Sequence, residues 1–290
     1  MSPAPPRARR PPPGPARRRP PPRRRARRRS DLRARILAAV PAIVFAIFII
    51  AQGGLIFALG AIALGLACLH ELYTLLADVH PVKIAGFLGL VALALAALYG
   101  DQFQVVLVAA AVVPVLFAFT VLRPVRDQPT LAMSVTLLGV WWVGLAIAHA
   151  VLLREAPHGN GILVDVLVGT FIGDTGAYFC GRAFGRRPLA PRISPNKTLE
   201  GLAFGFAFAI AATWAAGLYQ DWLDGGQALL IGLGVALAAP VGDLFESLVK
   251  RDVEIKDTGR LFGAHGGALD RLDAVLFTIP VGYYIWLAVM

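Results

Sequence analysis

Nine apolar stretches, at roughly 36–51, 54–69, 83–99, 103–122, 131–153, 161–180, 199–219, 227–249 and 272–290, take up most of this 290-residue chain. A helix needs about 20 apolar residues to cross a hydrocarbon core about 30 Å thick. Backbone that crosses lipid must satisfy its own hydrogen bonds, which leaves helices as the spanning structure for runs of this kind. The first two stretches are short. Fused, 36–69 would make one helix of about 51 Å, far longer than the core it crosses. Gln52-Gly53-Gly54 offers a tight turn between them. Only 16% of the residues are charged, against about 25% in soluble domains. The chain is expected to be an all-α polytopic integral membrane protein of about nine transmembrane helices, or eight if the first two merge.

The net charge of +10 misrepresents the fold. Fourteen of the 28 Lys+Arg fall in residues 1–35 beside a single acid, Asp31, so the rest of the chain carries 14 basic and 17 acidic side chains, a net of −3. The first thirty residues also hold ten prolines and no large apolar side chain other than Met1. Residues 1–35 are therefore expected to be a disordered Arg/Pro-rich tail, either a topology determinant or a patch for anionic headgroups. The basicity belongs to this tail, and no nucleic-acid partner is expected. It has neither the length pattern of a signal peptide nor the Ser-rich amphipathicity of a transit peptide.

The loops give an independent check on topology. With the tail in the cytoplasm, alternate loops should be basic. Nine spans put 13 basic residues on that side, from Lys83 to Arg271, and one on the other, Arg154, beside Asp101, Glu155, Asp221 and Asp224. Merging the first two spans would set the tail opposite the basic loops. The expected organisation is a tail at 1–35, N-terminal transmembrane helices at 36–160 and a C-terminal catalytic region at 161–290. Cys68 and Cys180 lie in apolar segments and support neither a disulfide framework nor a metal motif.

Nearly all the unusual polar residues fall in two stretches, 173–201 and 242–273. Asp243, Glu246, Ser247 and Lys250 share one face of the eighth helix by their spacing. Asp243 lies about 10 Å inside a boundary at Lys250, and Asp174 on the sixth helix about 12 Å inside one at Arg182. A carboxylate at such depth needs a cation or a water-filled cavity. The match predicts a shared polar pocket open to the cytoplasmic face; structural pairing with Lys or Arg is the plainer reading. Asp270 and Asp273, three apart at the start of the last helix, either complement its dipole or join Asp174 and Asp243 as hard oxygen donors for Mg²⁺. His265 beside Gly266-Gly267 suits a phosphate or a metal's outer shell. Ser194, Lys197 and Thr198 in "SPNKT" read equally as an anion contact and as an ordinary N-cap with Glu200 behind it. Residue chemistry alone leaves catalysis and transport both open.

The stretch "ESLVKRDVEIKDTGRLFGAHGGALDRLD", 246–273, resembles the signature of the phosphatidate cytidylyltransferases, the CDP-diacylglycerol synthases. The positions that carry the likeness are Ser247, Lys250, Arg251, Lys256, Asp257, His265, Gly266, Gly267, Asp270, Arg271 and Asp273. "GDTGAYFCGRAFG" and "SPNKTLEG" are similar to a second block of that family. One departure stands out: Gly263-Ala264 replaces the family's Pro-Gly.

The resemblance implies condensation of CTP with phosphatidic acid in the bilayer, giving CDP-diacylglycerol and pyrophosphate in phospholipid biosynthesis. It implies Mg²⁺ held by Asp243 and Asp270 with Asp174 in support, and a second cation, monovalent in one reading. Lys197, Lys250, Arg251, Lys256 and Arg271 would hold phosphates, with Ser194, Thr198, Ser247, Asp257 and Asp273 lining the substrates. The His265–Gly267 backbone would meet the pyrophosphate. A homodimer in a bacterial cell (inner) membrane, with N-terminus and active site cytoplasmic, is the implied setting. Two other readings remain. One is a CTP-dependent lipid kinase of the dolichol or phytol type. The other is a membrane transporter with Asp165, Asp174 and Asp243 on its pathway.

Overall fold

The computed structural model describes residues 28–123, 128–255, 258–259 and 267–290, with 28–39 described by backbone alone. The described residues form nine helices and one hairpin. In chain order they are α1 (Arg28–Gln52), α2 (Gly54–Leu75), α3 (Lys83–Tyr99), α4 (Gln102–Leu122), α5 (Pro129–Glu155), α6 (Gly159–Phe184), β1 (Pro188–Ala190), β2 (Ser194–Thr198), α7 (Leu199–Gly217), α8 (Gly225–Asp252) and α9 (Leu269–Val289). Seven of these helices, α2 and α4 to α9, are long and apolar enough to span a membrane; α3 and the apolar part of α1, Val40–Gln52, are shorter. The nine spans read from hydropathy map one to one onto α1–α9.

Two local features differ from expectation. α1 starts at Arg28, inside the stretch assigned to the tail. Proline is absent between Pro22 and Pro41, and the Arg, Ala and Leu found there are good helix formers. "SPNKT" is a strand, β2, paired antiparallel with β1 through Pro188↔Thr198 and Ala190↔Ser194. Trp142 and Tyr283 are buried, whereas their neighbours Trp141 and Tyr284 are exposed. Trp142 sits in a π-helical turn of α5, edge-on to Phe245 at 4.7 Å, and Tyr283 packs against the His149 ring.

The turn between α1 and α2 is built as its glycines suggest. Gly53 and Gly54 both have positive φ, 67° and 50°, a conformation that glycine adopts without penalty. Arg154 at the end of α5 lies over Gly53, donating through Nε to the Ile50 carbonyl at 2.7 Å, while Glu155 accepts the Gly54 N–H at 2.8 Å. The charges of this loop thus tie α5 to the α1–α2 turn.

α6 and α7 meet along a seam of small residues. Gly173, Ala177 and Gly181 face Gly201, Gly205 and Ala209, and a Cβ on Gly201 would come within 2.9 Å of the Ala177 carbonyl oxygen and 3.0 Å of Gly181 Cα. Lipid provides no hydrophobic drive for helix association, so backbones that approach this closely gain their stability from van der Waals contact. α8 meets α9 the same way, since a Cβ on Gly242 would overlap the Asp273 carbonyl. These contacts set Asp174, Asp243 and Asp273 side by side.

Candidate active site

α6, α7, α8 and the hairpin enclose a pocket of about 540 Å³ whose lining includes Asp174, Tyr178, Ser194, Lys197, Thr198 and Asp243. A three-residue connection, 191–193, joins β1 to β2. β2 runs straight into α7, and Thr198 caps that helix, its Oγ1 accepting the Gly201 N–H at 3.1 Å. Glu200 then accepts the backbone N–H groups of Arg186 and Arg187, at 3.0 and 3.1 Å, which binds the hairpin to the first turn of α7. Held this way, β2 delivers Lys197 into an ion pair with Asp243 of α8. Asp174 of α6 lies within electrostatic reach of Asp243, Asp273 and Lys197. Asp174 and Asp243 both line this pocket.

A second cluster stands where α8 meets α9. Lys250 pairs with Glu246 at 2.5 Å and with Asp270 at 3.0 Å. Asp270 also accepts the Thr258 N–H, at 3.0 and 3.2 Å to its two oxygens, and the Gly267 N–H at 2.8 Å. Both of its oxygens are thus engaged within the protein. The Gly267 amide, expected to meet pyrophosphate when substrate binds, donates here to Asp270. Glu246 is 1% exposed, and its Oε1 meets no hydrogen-bond partner among the described residues.

Of the other expected site residues, Ser247 and Arg251 lie on α8 and Arg271 at the start of α9. Arg251 donates through Nε to the Ile193 carbonyl at 3.2 Å, which joins the end of α8 to the hairpin turn. Ser247 is partly buried, one helical turn from Asp243, and is not among the residues that line the pocket. Arg271 is exposed at the start of α9. Lys256, Asp257, His265 and Gly266 lie outside the described residues. Asp165 stands apart, fully buried and accepting both of its contacts from the Gln220 side chain at 2.8 and 2.9 Å. It is about 13 Å along α6 from Asp174.

The sequence reading missed Tyr178 and Arg182, which line the pocket and join through an Arg182 Nη1 to Tyr178 Oη bond of 3.2 Å. Asn196 also lines it, and no spacing rule singles it out. Glu71 of α2 was missed as well. It reaches the start of α9, where its Oε2 accepts the Leu269 N–H at 3.0 Å.

The donors suit a hard cation in part. Asp174, Asp243 and Asp273 are carboxylates that repel one another, and a divalent ion would relieve that repulsion. Among the described residues, no three His, Cys, Asp or Glu groups form a ready-made cage. Mg²⁺ is ordinarily bound by one or two carboxylates, with substrate phosphates and water completing its octahedron. The wall fits an ion that arrives with a phosphorylated substrate.

Residues 33–289 match the cytidylyltransferase family. The phosphatidate cytidylyltransferase of Bacillus subtilis (strain 168) is 32% identical over 265 residues, covering 88% of this chain and 97% of that protein. That of Staphylococcus epidermidis is 31% identical over 263 residues, covering 86% and 97%. The phosphatidate cytidylyltransferase of Pseudomonas aeruginosa is 41% identical over 155 residues, about half of each chain at 52% and 55%.

Proposed function

This chain belongs to the cytidylyltransferase family, and from that premise we propose that it is a phosphatidate cytidylyltransferase, transferring the cytidylyl group of CTP to phosphatidic acid. The new bond joins a phosphate oxygen of the lipid to the α-phosphorus of CTP. The bond from that phosphorus to the β-phosphate oxygen breaks, and pyrophosphate leaves. The attacking oxygen is already anionic, so no protein nucleophile or general base is needed. The protein's task is alignment and neutralisation of charge, the two effects on which phosphoryl chemistry chiefly depends.

The observation that carries this reading is the Lys197–Asp243 ion pair on the wall of a 540 Å³ pocket that Asp174 also lines. That volume lies within the range of small-molecule sites. Lys197 would turn to a phosphate of CTP and release Asp243. Lys250, between Glu246 and Asp270, would take a second phosphate and release Asp270 Oδ1 from its ion pair. Arg251 and Arg271 would screen the lipid headgroup at the mouth. Asp243, Asp174 and Asp270 would then hold Mg²⁺, which when bound supplies positive charge against the triphosphate. We place this face on the cytoplasmic side of a bacterial cell membrane; the bias of basic residues among the loops supports that orientation.

The test uses purified protein with phosphatidic acid, Mg²⁺ and CTP labelled at the α or the γ phosphorus. Label entering the lipid from the α position alone supports cytidylyl transfer. Entry from the γ position makes the protein a CTP-dependent kinase. Absence of label from both, in folded protein, overturns the proposal.

A further inference from the structure

We propose that Glu71, on α2 and far in sequence from every site residue above, is a positioning residue for the transfer site; the inference rests on the function proposed above. Glu71 is 7% exposed, and its carboxylate reaches the chain on both sides of the α8–α9 connection. Its Oε2 accepts the Leu269 N–H at 3.0 Å across 198 positions of sequence, and the Thr258 hydroxyl at 3.4 Å. Gly259 and Gly267 press against the same carboxylate. A Cβ on either would fall 2.5 or 2.2 Å from a Glu71 oxygen, so the approach depends on their having no side chain.

Leu269 is the first residue of α9. A carboxylate there satisfies a helix N–H that would otherwise lack an intrahelical partner, and it meets the positive end of the helix dipole. The neighbouring residue, Asp270, binds the Thr258 and Gly267 amides and Lys250. Glu71 and Asp270 therefore grip the same two flanks, 258–259 and 267–269. Glu71 fixes where α9 begins, and with it the positions of Asp270 and Asp273.

The support behind Glu71 is stiff. Leu69, Leu72 and Tyr73 are fully buried, and the Tyr73 hydroxyl donates to the Thr136 carbonyl of α5 at 2.8 Å. Gly86 of α3 and Gly139 of α5 lie against the Tyr73 ring so closely that a Cβ on either would overlap it. Glu71 thus transmits the position of a helix locked into the N-terminal half to residues of the C-terminal half. It lines neither the pocket nor the Lys197–Asp243 pair, so it acts through Asp270 and Asp273.

Three variants test this role in the labelled-CTP assay, with kcat and KM for CTP measured on the folded fraction. Glu71→Gln keeps an acceptor for Leu269 and is expected to retain turnover within about threefold. Glu71→Met keeps the volume and removes the acceptor; kcat is expected to fall by about 10- to 100-fold, the cost of misplacing groups by about 1 Å, with KM within about threefold. Should Glu71→Met fail to fold, Glu71→Asp decides, since it retracts the charge by about one C–C bond length of 1.5 Å. A kcat loss of about fivefold or more at unchanged KM then supports the role. Turnover unchanged in Glu71→Met, or in Glu71→Asp where the Met variant does not fold, overturns it and leaves Glu71 as packing alone. A wild-type protein that labels no lipid overturns the reaction itself, and this role with it.

Discussion

Lys250 Nζ stands 2.5 Å from the Glu246 carboxylate and 3.0 Å from Asp270 Oδ1, so one ammonium joins α8 to the first turn of α9. Glu246 is almost wholly buried, and Lys250 is its cation. Removing one partner of a buried pair leaves an uncompensated charge, at a cost of about 3–5 kcal/mol. Lys250→Met is expected to lower stability by that amount in detergent thermal unfolding and to abolish lipid labelling. Adding Glu246→Leu should recover most of the stability and none of the activity. A Lys250→Met protein that melts with the wild type would show that the pair carries no structural weight.

Asp243 is a different case, since about a third of its side chain is exposed and its partner Lys197 is also partly open. Asp243→Asn should fold normally. It should lose about 100-fold or more in transfer rate, the scale seen when an electrostatic group in an active site is removed, and it should need more Mg²⁺ for half-maximal rate. Full activity with unchanged Mg²⁺ dependence would remove Asp243 from the metal's ligands.

The α6–α7 seam yields a stability test. An added Cβ at Gly201 meets backbone on both sides, Ala177 O and Gly181 Cα, and backbone cannot swing aside as a long side chain can. Gly201→Ala is expected to cost about 1–3 kcal/mol, the usual range for overpacking. Gly225→Ala, where the nearest atom is Trp214 Nε1 at 3.5 Å, should stay within about 0.5 kcal/mol. Equal melting curves for the two variants would contradict the close approach.

Asp165 separates the enzyme from a transporter. Its oxygens take the Gln220 amide and nothing from the pocket wall. Asp165→Asn keeps one acceptor and is expected to cost about 1–3 kcal/mol of stability, with lipid labelling in the folded fraction within about twofold. Labelling abolished in well-folded protein would place Asp165 on the reaction path.

Hydropathy located all nine helices because the bilayer fixes both the length and the polarity of whatever crosses it. The spacing of Asp243 and the depth of Asp174 pointed to a common wall, since helix geometry is regular enough to carry such arithmetic. What spacing cannot give is the partner across a gap. Lys197 meets Asp243 only because β2 is a strand, and three prolines in "RPLAPRISPNKT" obscured its pairing. Asp270 reads in sequence as a free carboxylate, yet the fold fills it with Lys250 and two amides. Glu71 did leave a trace. A carboxylate inside an apolar span needs an explanation, and this one sits within "LACLHELYTLL" without a charged neighbour of opposite sign.

The bond from Leu269 to Glu71 closes a loop of nearly two hundred residues, which matters while the chain is being made. At about 5–20 residues per second, α2 enters the membrane some 10–40 s before α9 emerges to meet it. Through that interval Glu71 must be carried without its partner. Its place one turn from the end of α2 keeps it near the headgroups, where hydration is within reach. The ninth helix is therefore the one that seals the second, and until Leu269 arrives the carboxylate of Glu71 stays open.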